Sequence, residues 1–242
     1  MKHNTYPEFK DTDIVYTYKE QAFTGYAPCF QNGLYSLACC KGAKNGNGMR
    51  QSVCRAVENG KNVWVLSIAA GNIKSSESNF SGILYEPGEV IYLAKIDKAL
   101  TWGEYSTSDV YSKRNDSYYV IRDGKVDWRK KIGNWHTDQC DLEHDCGIGC
   151  CADNKTAEEI FKNDKQILIA REYYIFDKGQ RLSGIDEYKP LDVGRGYKYI
   201  ENGKVSRASI LRNFIEKNHA FYCTSGVDPF EKVSNNRTGG CR

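Results

Sequence analysis

Asn59-Gly-Lys-Asn-Val-Trp-Val-Leu-Ser-Ile-Ala-Ala-Gly71 joins a tight-turn dipeptide to a nearly unbroken apolar run. Asn-Gly supplies the positive φ angles of a hairpin turn, and Val63 to Ala69 has the β-branched and aromatic content of a strand. A strand without polar alternation is buried on both faces, as a central strand of a closed or well-covered sheet is. Val90-Ile-Tyr-Leu-Ala-Lys-Ile96 repeats the pattern. These segments set the expectation of a sheet with layers on both sides.

Working outward, further strands are expected over 13–18, 34–39, 117–121, 166–176 and 197–200, with Asp123-Gly124 and Asn202-Gly203 as two more turns. Helices are fewer. Thr156-Ala-Glu-Glu159 has the capping-box spacing and opens a short helix to about Asn163. Over 206–219, Ile210, Leu211, Phe214 and Ile215 share one face, with Arg212, Glu216 and Lys217 outside. Val53 and Val57 stand at i, i+4 in a third helix over 49–57, and 72–81 reads as an exposed polar loop. Neither an internal repeat nor a clear linker is present. The expected fold is α+β: a β-rich domain over 10–180 with a few peripheral helices, and a C-terminal strand and helix extension over 181–242 packed on it.

The chain has 242 residues, 40% hydrophobic and 27% charged, and a net charge of only +3. That balance argues against a polybasic clamp, whose affinity comes from many phosphate contacts. The 17 Tyr, 9 Phe and 4 Trp are explained first by half-buried pleated surfaces, and a stacking surface for bases is the second account. No segment approaches the roughly 20 apolar residues of a membrane span, and residues 1–20 lack the apolar core of a secretory signal. The expected location is the cytoplasm, with no membrane partner. There the 10 Cys are reduced thiols, which directs attention to metal binding, packing or a reactive thiol.

Thr24-Gly-Tyr-Ala-Pro-Cys-Phe-Gln-Asn-Gly-Leu-Tyr-Ser-Leu-Ala-Cys-Cys-Lys-Gly42 mixes backbone-permissive residues with aromatic and polarisable ones, as a small-molecule or base pocket requires. Tyr26 and Phe30 are the candidates to stack a ring, and Asn32 or backbone near Cys29 to read its edge. Lys41, Arg50 or Arg171 are the candidates to hold a phosphate. The glycine-rich Gly42-Ala-Lys-Asn-Gly-Asn-Gly-Met-Arg50 matches neither phosphate-loop fingerprint, and a solvated turn explains it as well. A nucleophilic Cys29, Cys39 or Cys40 needs a nearby base, and only 4 His are available. Arg171-Glu172 interrupts an apolar strand, either as a salt bridge or as the lip of a pocket.

Trp135-His-Thr-Asp-Gln-Cys-Asp-Leu-Glu-His-Asp-Cys-Gly-Ile-Gly-Cys-Cys151 crowds imidazoles and thiols into one loop. Cys140, His144, Cys146 and Cys150 are the donor types of tetrahedral zinc, and Cys146 and Cys150 form a C-x₃-C pair. No second such pair appears, so the segment reads first as a cysteine-rich surface or hinge loop with partly buried thiols and no metal, with zinc binding and oxidation of neighbouring thiols to disulfides as the alternatives. Trp135 and His144 are also placed among the ligand-binding candidates. If the chain is an enzyme on a nucleotide, His144, Glu172 or a cysteine would carry the acid–base or nucleophilic step.

In the order of its blocks the chain resembles the nucleotide modification associated domain 2 family, known largely from bacterial and phage gene neighbourhoods linked to DNA-base modification. The resemblance runs from Gly25-Tyr-Ala-Pro-Cys-Phe30 and Ser36-Leu-Ala-Cys-Cys-Lys41 through Asn62 to Gly71. It continues in Val90-Ile-Tyr-Leu-Ala-Lys-Ile-Asp-Lys-Ala-Leu-Thr-Trp-Gly-Glu-Tyr105, a strand followed by a helix, and ends with His144 and the strand Ile167 to Phe176. It covers roughly residues 10 to 180 and departs from the family pattern at Cys29 (Asn expected), at Gly42 (Pro expected) and in the cysteines of 140–151. By further analogy it is similar to PUA-like barrels of the EVE and ASCH group. That resemblance implies binding of a modified nucleobase or nucleotide in an aromatic-lined pocket, in nucleic-acid modification or phage–host conflict. The alternatives from the residues are an enzyme at the same pocket and an interaction protein built on a Cys/His metal knuckle.

Overall fold

The computed structural model describes residues 7–25, 27–38, 48–76, 81–123, 125–128, 157–176, 179–194, 197–198, 206–218 and 221–225. In chain order the first elements are β1 (Ile14–Glu20), β2 (Tyr35–Leu37), α1 (Met49–Glu58), β3 (Val63–Ala69), β4 (Ile73–Lys74) and β5 (Leu84–Tyr85). Then come β6 (Val90–Ile96), β7 (Lys98–Leu100), α2 (Trp102–Thr107), β8 (Tyr119–Arg122) and β9 (Lys125–Trp128). The last are α3 (Ala157–Asn163), β10 (Ile167–Ala170), β11 (Glu172–Phe176), β12 (Tyr197–Lys198), α4 (Arg207–Lys217) and β13 (Phe221–Ser225).

The main sheet has the order β12-β1-β3-β6-β11-β13, and a smaller sheet the order β2-β10-β7. β1 and β3 run parallel, so a crossover must join them, and α1 lies on that connection. As their apolar runs require, β3 and β6 are central and β3 is buried at every position. Alternation along the strands divides the core. Tyr16, Tyr18, Val65, Tyr92, Ala94, Tyr173 and Ile175 face one way, toward α1 and the smaller sheet. Val15, Trp64, Leu66, Leu93, Tyr174 and Phe176 face the other, where Ile210, Leu211, Phe214 and Ile215 of α4 cover them.

Two strands pass between the sheets at one corner. β6 continues into β7 after Asp97, and β10 continues into β11 after Arg171. The Asp97 N–H donates to the Ile169 carbonyl at 2.9 Å, and the Arg171 N–H donates to Asp97 Oδ2 at 2.6 Å. This bend lays the smaller sheet over the first face of the main one: Tyr35, Leu37, Ala99, Leu168 and Ala170 join the same core. Its opposite side packs Leu34, Ile167 and Ile169 against Trp102 and Tyr105 of α2 and Phe161 of α3. Among the described residues the ladder does not close into a barrel; it ends at β12 and β13. The architecture is a mixed α+β fold of layered sheets.

The C-terminal segment does more than pack on the sheet, because both edge strands come from it. The buried Arg207 fastens α4 to β1, donating to the Val15 carbonyl at 3.0 Å, to Thr17 Oγ1 at 2.6 Å and to the Pro190 carbonyl. None of the described helices is long and apolar enough to cross a membrane.

Local chemistry departs from expectation in two places. Asn59-Gly60 is a helix stop and not a hairpin turn. Gly60, at φ +70°, donates to Val57 O, and Lys61 donates to Ala56 O, which is the paired closure of a helix C-terminus. The polar segment 72–81 begins with β4, whose Ile73 is buried, so its start belongs to a small hairpin with β5. Asp123, at φ +50°, does sit at a hairpin, between β8 and β9.

Candidate functional site

The segment 27–36 is held as a rigid loop by one buried guanidinium. Cys29 and Ser36 exchange backbone hydrogen bonds, closing the loop around a short turn at Gln31–Gly33, where Asn32 takes a φ of 58° and Gly33 one of 69°. Arg114 donates to the carbonyls of Cys29 at 3.0 Å, Gln31 at 2.6 Å and Leu34 at 2.8 Å. Its Nε reaches Ser36 Oγ and the Tyr105 hydroxyl. Asp116 balances the charge, accepting from Ser36 Oγ and the Tyr105 hydroxyl at 2.6 Å each. Arg suits this place because its planar fork offers five donors to a set of fixed acceptors.

This clamp presents Phe30 to the interior between the two sheets. Phe30 is 1% exposed, with ring centroids at 5.6 Å from Phe23, 5.5 Å from Tyr35, 5.3 Å from Tyr92 and 5.0 Å from Tyr173. The geometries are edge-on or tilted, as the quadrupoles of packed rings prefer. The aromatic cluster ends in a polar chain. Tyr18 donates to Glu20 Oε2 at 2.7 Å, the Tyr18 and Tyr92 hydroxyls are hydrogen-bonded, and Tyr35 lies 3.4 Å from Tyr92. Glu20 is only 4% exposed.

A bulge aims Tyr92. Ser67 pairs with Tyr92 and Ile68 with Val90, so Ile91 is the extra residue, and both Ile91 and Tyr92 project into the same core. Burial pushes the phenols of Tyr18, Tyr92 and Tyr35 well above their ordinary value, and the Glu20 charge adds to the effect on Tyr18. All three are therefore neutral hydrogen-bonding groups across the physiological range.

Of the residues expected at a ligand site, Phe30 and Cys29 lie in this region. Burial, followed by the nearby Asp116 charge, pushes the Cys29 thiol up to about 12, and burial does the same to Cys54. Asn32 is exposed on its turn. Arg50 is buried in the first turn of α1, and Arg171 is exposed at the sheet corner, with its Nε 3.3 Å from Asp97. Tyr26, Lys41, Trp135, Cys140, His144, Cys146 and Cys150 lie outside the described residues. Among the described residues no group of three or more His, Cys, Asp or Glu side chains could hold a metal.

Sequence reasoning missed Glu20, Tyr18, Tyr92, Arg114 and Asp116. For two of them, Tyr18 and Glu20, a signal was present. Tyr16, Tyr18 and Glu20 alternate along one strand, so a carboxylate shares a face with two aromatic rings. No family model matches the chain, and neither the curated proteins nor the solved structures contain a match to it.

Proposed function

We propose that the protein binds a nucleobase or nucleotide, a modified base above all, in the aromatic interior between its two sheets. In this reading it is a binding module on a PUA-like plan, related to the nucleotide modification associated domain 2 proteins and working in nucleic-acid modification or phage–host conflict. The observation that carries it is the Phe30-centred ring cluster ending in the Glu20–Tyr18–Tyr92–Tyr35 chain. A core that only has to be stable gains little from a buried carboxylate, since apolar residues of similar volume serve as well or better. Aromatic walls with a few convergent polar groups are what a base needs.

Phe30 is already packed on four rings, so it forms the back wall. Tyr26, four residues before it and beyond Gly25, takes the stacking role. Lys41 contacts the phosphate, because Arg171 is committed to Asp97 and Arg50 is buried in α1. Cys29 serves no nucleophilic role here: a thiol held near 12 is almost wholly protonated at neutral pH.

The test is equilibrium binding of nucleotides to wild type and Tyr26→Ala. Saturable binding without turnover, lost in the variant while the fold is retained, is the expected result. Unchanged binding in the variant removes the stacking assignment, and a new product on incubation makes the protein an enzyme.

A further inference from the structure

We infer that the phenol chain reads a donor edge of the bound base, so that the ligand is a ring with adjacent N–H groups, of the guanine type. This rests on the base-binding reading above. Chemistry fixes the direction of each hydrogen bond. A carboxylate only accepts, so Tyr18 gives its single proton to Glu20. Tyr18 then meets Tyr92 with a lone pair, and Tyr92 donates. That uses the proton of Tyr92, so the Tyr35 hydroxyl donates in turn. Every phenolic proton points toward Glu20, and the Tyr35 and Tyr92 oxygens meet any further group as acceptors.

Ser67 is the second observation. It stands opposite Tyr18 on β1 and Tyr92 on β6, which puts its side chain between theirs on the same face. Its hydroxyl is fully buried and has no hydrogen-bond partner among the described residues. An unsatisfied buried hydroxyl is left without the hydrogen bonds water would give it, and this one sits among acceptors oriented by a negative charge. A guanine-type edge sets N1–H beside an exocyclic amino group, so it brings two donors to these oxygens while its flat face lies on the aromatic wall. A uracil edge, one N–H between two carbonyls, sets acceptor against acceptor.

Isothermal titration of the full chain with GMP, IMP and UMP tests this, on wild type, Glu20→Gln and Ser67→Ala, with thermal melts to confirm folding. GMP is expected to bind wild type about tenfold or more tighter than UMP, with IMP between, as one to two hydrogen bonds imply. Glu20→Gln should bring GMP and UMP within about threefold, because an amide donates as well as accepts and lets the phenol chain reverse. Equal wild-type affinities, or a GMP preference intact in Glu20→Gln, overturn the edge assignment while leaving base binding in place. Absence of binding by all three nucleotides overturns the base-binding reading and this inference with it. If Glu20→Gln does not fold, Ser67→Ala decides: it should weaken GMP more than UMP, and equal weakening overturns the assignment.

Discussion

Arg114 and Asp116 lie 3.7 Å apart with side chains 2% and 0% exposed, and through them three carbonyls of the 29–34 loop are tied to Ser36 and Tyr105. Removing one member of a buried ion pair leaves the other uncompensated, at a cost of about 3–5 kcal/mol. Arg114→Met is therefore expected to lower unfolding stability by about that amount in urea titrations. A loss below about 1 kcal/mol would mean that the loop does not depend on the guanidinium.

Cys29 and Cys54 should resist alkylation. With thiols held near 12, each is about 10⁴-fold less ionised at pH 8 than it would be once fully ionised, and both are buried. Iodoacetamide labelling of native protein followed by peptide mass spectrometry should leave both unmodified until denaturant is added. Rapid native labelling of Cys29 would restore it as a nucleophile.

Stability should fall at alkaline pH. The folded state holds the protons of Tyr18, Tyr92 and Tyr105 well above the ordinary phenol value of 10.0, first through burial. The unfolded chain releases them near pH 10, so above that pH it binds fewer protons than the native state and the slope of stability with pH is negative. Phenolate absorbance should rise in a cooperative step with unfolding for these residues; gradual ionisation of every tyrosine near pH 10 would contradict their burial.

The start of α2 should be sensitive to its cap. Thr101 accepts from the Glu104 N–H at 3.0 Å, and Glu104 accepts from the Thr101 N–H at 2.7 Å, a reciprocal capping box. Burial works against the Glu104 carboxylate, yet hydrogen bonds from Lys165 and from the Thr101 N–H hold it below its ordinary 4.5. Its contribution is thus present above pH 4.5 and is lost as acid protonates it. Thr101→Ala should cost about 0.5–2 kcal/mol at neutral pH, measured by thermal or urea unfolding. No measurable loss would show that packing of Trp102 and Tyr105 alone holds the helix.

Much of this fold is written in residue patterns. The apolar runs of β3 and β6 place them centrally, and the stripe of Ile210, Leu211, Phe214 and Ile215 is the face that α4 buries. The strand expected over 166–176 is two strands with a corner at Arg171. Periodicity cannot reveal that, because the partners that bend the chain are distant in sequence. Arg171 pairs with Asp97, and Glu172 with Lys95 at 3.4 Å, so the two neighbouring charges do not pair with each other. The same limit hid Arg114, whose carbonyl acceptors Cys29, Gln31 and Leu34 lie 80 to 85 residues upstream. Phe30 was legible as an aromatic beside a turn, but its burial by Tyr92 and Tyr173 depends on the overlay of the two sheets.

Native mass spectrometry of the protein as purified from cells, then after incubation with nucleotides, tests the central claim most directly. The account predicts a population shifted by the mass of one nucleotide or base, lost in Tyr26→Ala. Unliganded protein alone, before and after incubation, would contradict it.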